Sequence, residues 1–119
     1  MSRLSRNKGK RGERQVRDLF RDFGLTARRG QQFAGSPDSP DVIVPAIAKD
    51  YHIEVKWVEG IVGAKMRAAI DQSIQDAAGK AWTVFHKEND HRWLVTLDAR
   101  DFIALLTKAL PAPEQSNPA

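Results

Sequence analysis

Pro40-Asp41-Val42-Ile43-Val44 and His52-Ile53-Glu54-Val55-Lys56-Trp57 are the two runs whose reading decides the fold. Both are rich in β-branched and aromatic residues, the composition of a strand. Side chains alternate along a strand, so Glu54 and Lys56 share one face, about 7 Å apart. Val55 turns to the opposite, apolar face with Ile53 and Trp57. A lysine two residues from a carboxylate in a hydrophobic strand is costly to bury without a partner or a task. Asp41 opens the preceding strand, with twelve residues between it and Glu54, and the excursion through residues 45–50 lets the two strands pair.

Outward from this pair, the periodicity predicts a helix over residues 12–23, with Val16, Leu19, Phe20 and Phe23 inward and Gly24 at its end. A first strand is expected over 25–33 and a Pro/Ser loop over 34–40. After strands at 41–45 and 51–57, a Gly-containing link leads to a helix over 64–78 with Met66, Ile70, Ile74 and Ala77 as its apolar stripe. Strands follow over 81–86 and 92–97. Asp98 is placed to cap a last helix to residue 108, with Phe102, Ile103, Leu105 and Leu106 expected to be buried. Pro111 stops it. This order predicts an α/β sandwich around a central mixed β-sheet flanked by helices.

The 119 residues suit one domain with a real core. No apolar run has membrane-spanning length and no hydrophobic leader opens the chain. There are no cysteines, which excludes a disulfide scaffold, a zinc ribbon and a thiol nucleophile. The three histidines have no zinc-ligand spacing, so any metal is expected to be hard and oxygen-bound. The net charge of +4 is uneven: residues 1–29 hold ten Lys/Arg against three acids, and the remainder nine against twelve. A basic end on a near-neutral body points to a polyanion, with nucleic acid the first candidate.

A third acid, Glu13, continues the apolar face of the first helix, three residues before Val16. It suits either a capping carboxylate or a group projecting over the sheet toward Asp41 and Glu54. Asp38 competes with Asp41, because Pro-Asp occurs twice, but only Asp41 directly precedes Val-Ile-Val. Carboxylates offer hard oxygens to Mg²⁺, which keeps waters and can take a substrate phosphate as well. Lys56 would then orient or deprotonate a water, or neutralise developing charge. Divalent-metal cleavage of phosphodiesters is the chemistry these residue types suit. The competing reading of Glu54 and Lys56 is a cross-strand ion pair on a half-exposed sheet. His52 lies on the same strand face and reads as groove lining rather than a ligand.

Lys8-Gly9-Lys10-Arg11-Gly12-Glu13-Arg14, Ala27-Arg28-Arg29-Gly30, Ser39-Pro40-Asp41-Val42-Ile43, His52-Ile53-Glu54-Val55-Lys56 and Ala69-Ile70-Asp71-Gln72 occur in the order and spacing of a known group. Through them, from about residue 8 to 106, the chain resembles the restriction-endonuclease-like PD-(D/E)xK nucleases, in particular the small Holliday-junction-resolvase-like branch of archaea and phages. The resemblance implies Glu13, Asp41 and Glu54 as catalytic and metal-binding acids, Lys56 as the motif lysine, and Gln72 as an accessory polar group. It departs at the loop before Asp41, where the two Pro-Asp pairs leave Ser36 and Ser39 without a defined role.

The expectation is therefore a Mg²⁺-dependent DNA endonuclease, with Mn²⁺ able to substitute, cutting four-way junctions as a homodimer in the cytoplasm of a prokaryotic or phage-infected cell. Its DNA contacts are expected at Arg6, Lys8, Lys10, Arg11, Arg14, Arg28, Arg29 and Gln72. The chain divides into a flexible basic arm (1–8), a nuclease domain (9–110) and a disordered Pro-rich tail (111–119). The alternatives are a nicking, flap or repair nuclease of the same fold, and a non-catalytic DNA-binding module.

Overall fold

The computed structural model describes residues 3–30 and 40–109, except for the side chains of residues 3–6. Asp38, Ser36, Ser39, the outer end of the strand expected over 25–33, the tail and the side chain of Arg6 lie outside the described residues. The elements are α1 (Arg3–Asp22), β1 (Arg28–Arg29), β2 (Val42–Ile43), β3 (Tyr51–Trp57), α2 (Gly63–Ala77), β4 (Ala81–Lys87), β5 (Leu94–Leu97) and α3 (Ala99–Ala109).

β3, β4 and β5 form a mixed sheet in that order. β3 and β4 are parallel, with Glu54 opposite Val84 and Lys56 opposite His86, and α2 makes the crossover that a parallel pair requires. β5 runs antiparallel to β4. β1 and β2 form a separate antiparallel ladder, joined to β3 where Asp41 N donates to Ile53 O at 3.0 Å.

Helices cover both faces of β3–β4. On one, Val16 of α1 packs with Ala27, Val42, Val44, Ile53 and Val55. On the other, Ala69 of α2 packs with Ile61 and Val84. Full burial of each such valine is worth roughly 1.5–3 kcal/mol. Gly12 makes the α1 approach possible: a Cβ there would lie 3.3 Å from Trp93 Cη2 and 3.4 Å from Val55 Cγ1.

Several boundaries and faces differ from those expected. α1 starts at Arg3, so the segment assigned to an arm is helical from that residue. Its Arg, Lys and Leu residues are good helix formers and no proline interrupts them. At the other end, α1 stops at Asp22. Phe23 falls past the last turn and is 82 % exposed, and Leu19 is also exposed. The inward line is instead Gly12, Val16 and half-buried Phe20.

α2 keeps most of its expected stripe, since Met66 and Ile70 pack on the Ile61–Ala69–Val84 cluster, but the buried line is broader and more polar than expected. Ala69, Ser73, Asp76 and Ala77 are buried, while Ile74 is exposed. Two polar residues take inward positions because partners await them. Ser73 Oγ donates to Thr83 O at 3.2 Å, and Thr83 Oγ1 donates to His52 O at 2.8 Å. α3 is capped as expected, with Asp98 Oδ1 accepting from Arg100 N at 2.8 Å and Asp101 N at 3.3 Å. Its Phe102, Ile103, Leu105 and Leu106 are nevertheless exposed. They follow an edge strand whose Leu94 and Val95 are exposed too, so among the described residues no second layer covers them.

Candidate active site

Asp41 is fixed by the backbone around it. Gly30 N donates to Asp41 O at 2.9 Å, and the Asp41 side chain accepts Val55 N on Oδ2 at 2.8 Å. Only glycine fits at position 30, because a Cβ there would collide with the Pro40 carbonyl oxygen. The carboxylate is thereby buried against the edge of β3, one residue from Glu54. Burial pushes the Asp41 pKa up to about 8. The charges of Glu54 and Glu13 push the same way, while the Val55 N–H and, least, the Lys56 ammonium oppose them.

The other three charged residues expected at the site, Glu13, Glu54 and Lys56, therefore all act on the Asp41 carboxyl group. Glu13, Asp41, Glu54 and Lys56 also line one cleft of about 830 Å³, together with Lys8, Lys10 and Arg29. Glu13 projects from α1 over the sheet, as one of its two sequence readings required. Arg29, expected on DNA, reaches it from β1: Nε and Nη2 donate to Glu13 Oε2 at 2.9 and 2.7 Å. Both bonds fall on Oε2, which leaves Oε1 outside the arginine pair.

On the α2 side of β3, His52 Nε2 lies 3.0 Å from Glu54 Oε1. Asp76, in the last turn of α2, approaches the same pair. One donor atom each from His52, Glu54 and Asp76 lies within 4.8 Å of the other two, and all three residues are buried. Among the described residues this is the group whose spacing suits a metal ion, rather than Glu13, Asp41 and Glu54. Gln72 is not part of the cleft lining; its Nε2 donates to both oxygens of Asp76, at 3.0 and 2.9 Å.

Sequence reasoning singled out neither Asp76 nor the contact between His52 and Glu54. The signal for His52 was its parity with Glu54. For Asp76 it was the i,i+4 spacing from Gln72, which the assumed apolar stripe of α2 concealed. It also missed the setting of Trp57. Lys8, Arg11 and Lys87 lie 5.5, 5.1 and 4.9 Å from its ring centre, within cation–π range. Trp57 Nε1 donates to Asn89 Oδ1 at 2.9 Å, fixing the ring beside the cleft mouth. Lys10, Arg14 and Arg28 are exposed, and only Lys10 of these lines the cleft.

What this arrangement can do chemically is gather negative charge at a buried point and surround its mouth with positive charge. Compared with protein-family models, with curated proteins and with solved structures, the chain shows no match in any of the three. The fold and site define an α/β domain with a mixed three-stranded sheet and a buried carboxylate cluster opening on a cationic cleft. Among the described residues no helix is long and apolar enough to cross a membrane.

Proposed function

We propose that the protein is a divalent-metal-dependent DNA endonuclease with a restriction-endonuclease-like sandwich fold, acting on four-way junctions as a homodimer in the cytoplasm of a prokaryotic or phage-infected cell. One observation carries the reading: Glu13 from α1, Asp41 before β2, and Glu54 and Lys56 from β3 meet in one cleft, where the other three influence the charge of Asp41.

The donor types suit a hard cation, although Glu13, Asp41 and Glu54 stand wider apart than one ion would hold them, so binding would draw their oxygens together. Carboxylate oxygens are the ligands Mg²⁺ prefers, and the upward push on Asp41 is the signature of a site short of positive charge. Asp41 and Glu54 would hold the ion, with Glu13 Oε1 or a water between completing the set. Bound there, the metal would supply Lewis acidity toward a phosphate oxygen and a water of lowered pKa. Val55 N–H keeps Asp41 Oδ2 oriented. Arg29 restrains Glu13. Lys56, on the Glu54 face of β3, stabilises negative charge developing on the phosphate or holds the attacking water.

The cationic rim supports a polyanionic substrate: Lys8 and Lys10 line the cleft, and Arg11 and Lys87 flank Trp57 beside it. A dimer is supported by the exposed apolar side chains of β5 and α3, which a second copy would cover. Two cuts on opposing strands of a junction also call for two sites. Cleavage of a mobile four-way junction beside linear, nicked and flapped DNA tests the substrate. Preference for the junction supports the reading, while equal cutting of all four assigns a more general nuclease of the same chemistry.

A further inference from the structure

We propose that His52, Glu54 and Asp76 form a second cation site, one that takes a borderline divalent metal such as Zn²⁺ or Co²⁺ through one imidazole nitrogen and two carboxylate oxygens. It goes beyond the nuclease reading and does not depend on it, although Glu54 belongs to both sites. The side chains come from two elements locked together. His52 and Glu54 stand two apart on β3 and so project from the same face. Asp76 reaches that face from the end of α2, whose Ser73 is bonded to Thr83 O, while Thr83 Oγ1 is bonded to His52 O.

Geometry and charge both favour an ion. Three ligands each about 2.1 Å from one metal lie at most about 3.6 Å from one another. His52 Nε2 and Glu54 Oε1, 3.0 Å apart, already meet that spacing, and donor atoms within 4.8 Å of one another close on an ion by about 1 Å, a side-chain rotation. His52, Glu54 and Asp76 are 3 %, 7 % and 8 % exposed. Among the described residues no lysine or arginine forms an ion pair with Glu54 or Asp76, and the hydrogen-bond partner of Asp76 is the neutral amide of Gln72. A single imidazolium could balance one of these two buried carboxylates. A divalent cation balances both, which offsets the cost of burying them.

The imidazole separates this site from a pure magnesium site, since nitrogen ligands favour later divalent metals. Gln72, bonded to both Asp76 oxygens, holds the carboxylate in place as outer-sphere partners of metal ligands do. Three protein ligands leave further coordination positions for water.

The test is Co²⁺ and Zn²⁺ titration of the full chain stripped of metal and free of DNA, followed by calorimetry and cobalt absorption. The wild type should bind one equivalent that persists in Asp41→Asn. Affinity should fall by roughly a hundredfold or more in His52→Ala and in Asp76→Asn, as expected on losing a ligand. Undiminished binding in folded His52→Ala and Asp76→Asn overturns the site and leaves a hydrogen-bonded network that only positions Glu54. A measurement on the wild type covers variants that fail to fold. Bound Co²⁺ should give paramagnetically shifted imidazole proton signals from His52 and not from His86 or His91; unshifted His52 signals at saturating Co²⁺ overturn the proposal. Loss of DNA cleavage in Asp41→Asn with this binding retained would separate the two sites.

Discussion

Asp41 Oδ2 accepts the backbone N–H of Val55 at 2.8 Å, so the carboxylate that opens one strand is oriented by the residue between Glu54 and Lys56 of the next. This single bond converts a sequence spacing into a site. It holds Asp41 beside Glu54 at a depth where both charges are poorly solvated, and it concentrates the electrostatic cost of the fold on one carboxyl group.

That cost should appear in the pH dependence of stability. The Asp41 pKa is raised to about 8, against an ordinary value of 3.8. Between these values the folded state keeps a proton that the unfolded chain has released. Stability from this group is therefore complete below about pH 4 and is lost as pH rises through about 8. Asp41→Asn should stabilise the metal-free protein at pH 8.5 by on the order of a few kcal/mol and flatten the decline. Urea unfolding at pH 5.5 and 8.5 checks this; an unchanged slope in the variant would count against the buried, charge-crowded setting of Asp41.

Packing around the site is as sharply specified. Gly30→Ala forces a Cβ onto the Pro40 carbonyl oxygen and should cost roughly 2 kcal/mol or more, with loss of Asp41 placement. Thermal unfolding would reveal a neutral outcome if the β1–β2 approach were looser.

On α1, Val16 and Phe23 should behave in opposite ways. Val16→Ala removes a side chain with no exposure and should destabilise by roughly 2 kcal/mol. Phe23→Ala should stay within about 0.5 kcal/mol of wild type. Equal losses would restore the longer apolar stripe that periodicity alone suggested.

DNA binding should weaken linearly with salt on logarithmic axes, because phosphate contacts release counterions. Each of Lys8→Ala, Arg11→Ala and Lys87→Ala should lower the slope by about one unit where that side chain meets a phosphate. Fluorescence anisotropy at several salt concentrations would show unaltered slopes if the cations around Trp57 serve the tryptophan alone.

Much of this molecule was legible in the sequence for a physical reason: strand alternation and helix period act locally. They placed β3 over the residues it occupies and brought Glu13, Asp41, Glu54 and Lys56 to one place. The errors came where tertiary partners outweigh local pattern. Ser73 and Asp76 turn inward because Thr83 and Gln72 satisfy them, and no single-chain periodicity contains that information. α3 carries an apolar face like any buried helix, yet nothing in its own sequence says whether the covering surface belongs to the same chain. Arg29 read as a phosphate contact, but the fold sets it against Glu13.

The central claim is metal-dependent phosphodiester hydrolysis at Asp41, Glu54 and Lys56. Its most direct test is cleavage of a four-way DNA junction by wild type, Asp41→Asn and Lys56→Ala with Mg²⁺ or Mn²⁺, with junction binding measured on the same preparations. Cleavage by the wild type that needs the metal, and that falls by roughly three orders of magnitude or more in both variants while binding stays within a few-fold, is the predicted result. Wild type and variants equally inert with both metals, yet equally able to bind, would contradict it and leave a DNA-binding module.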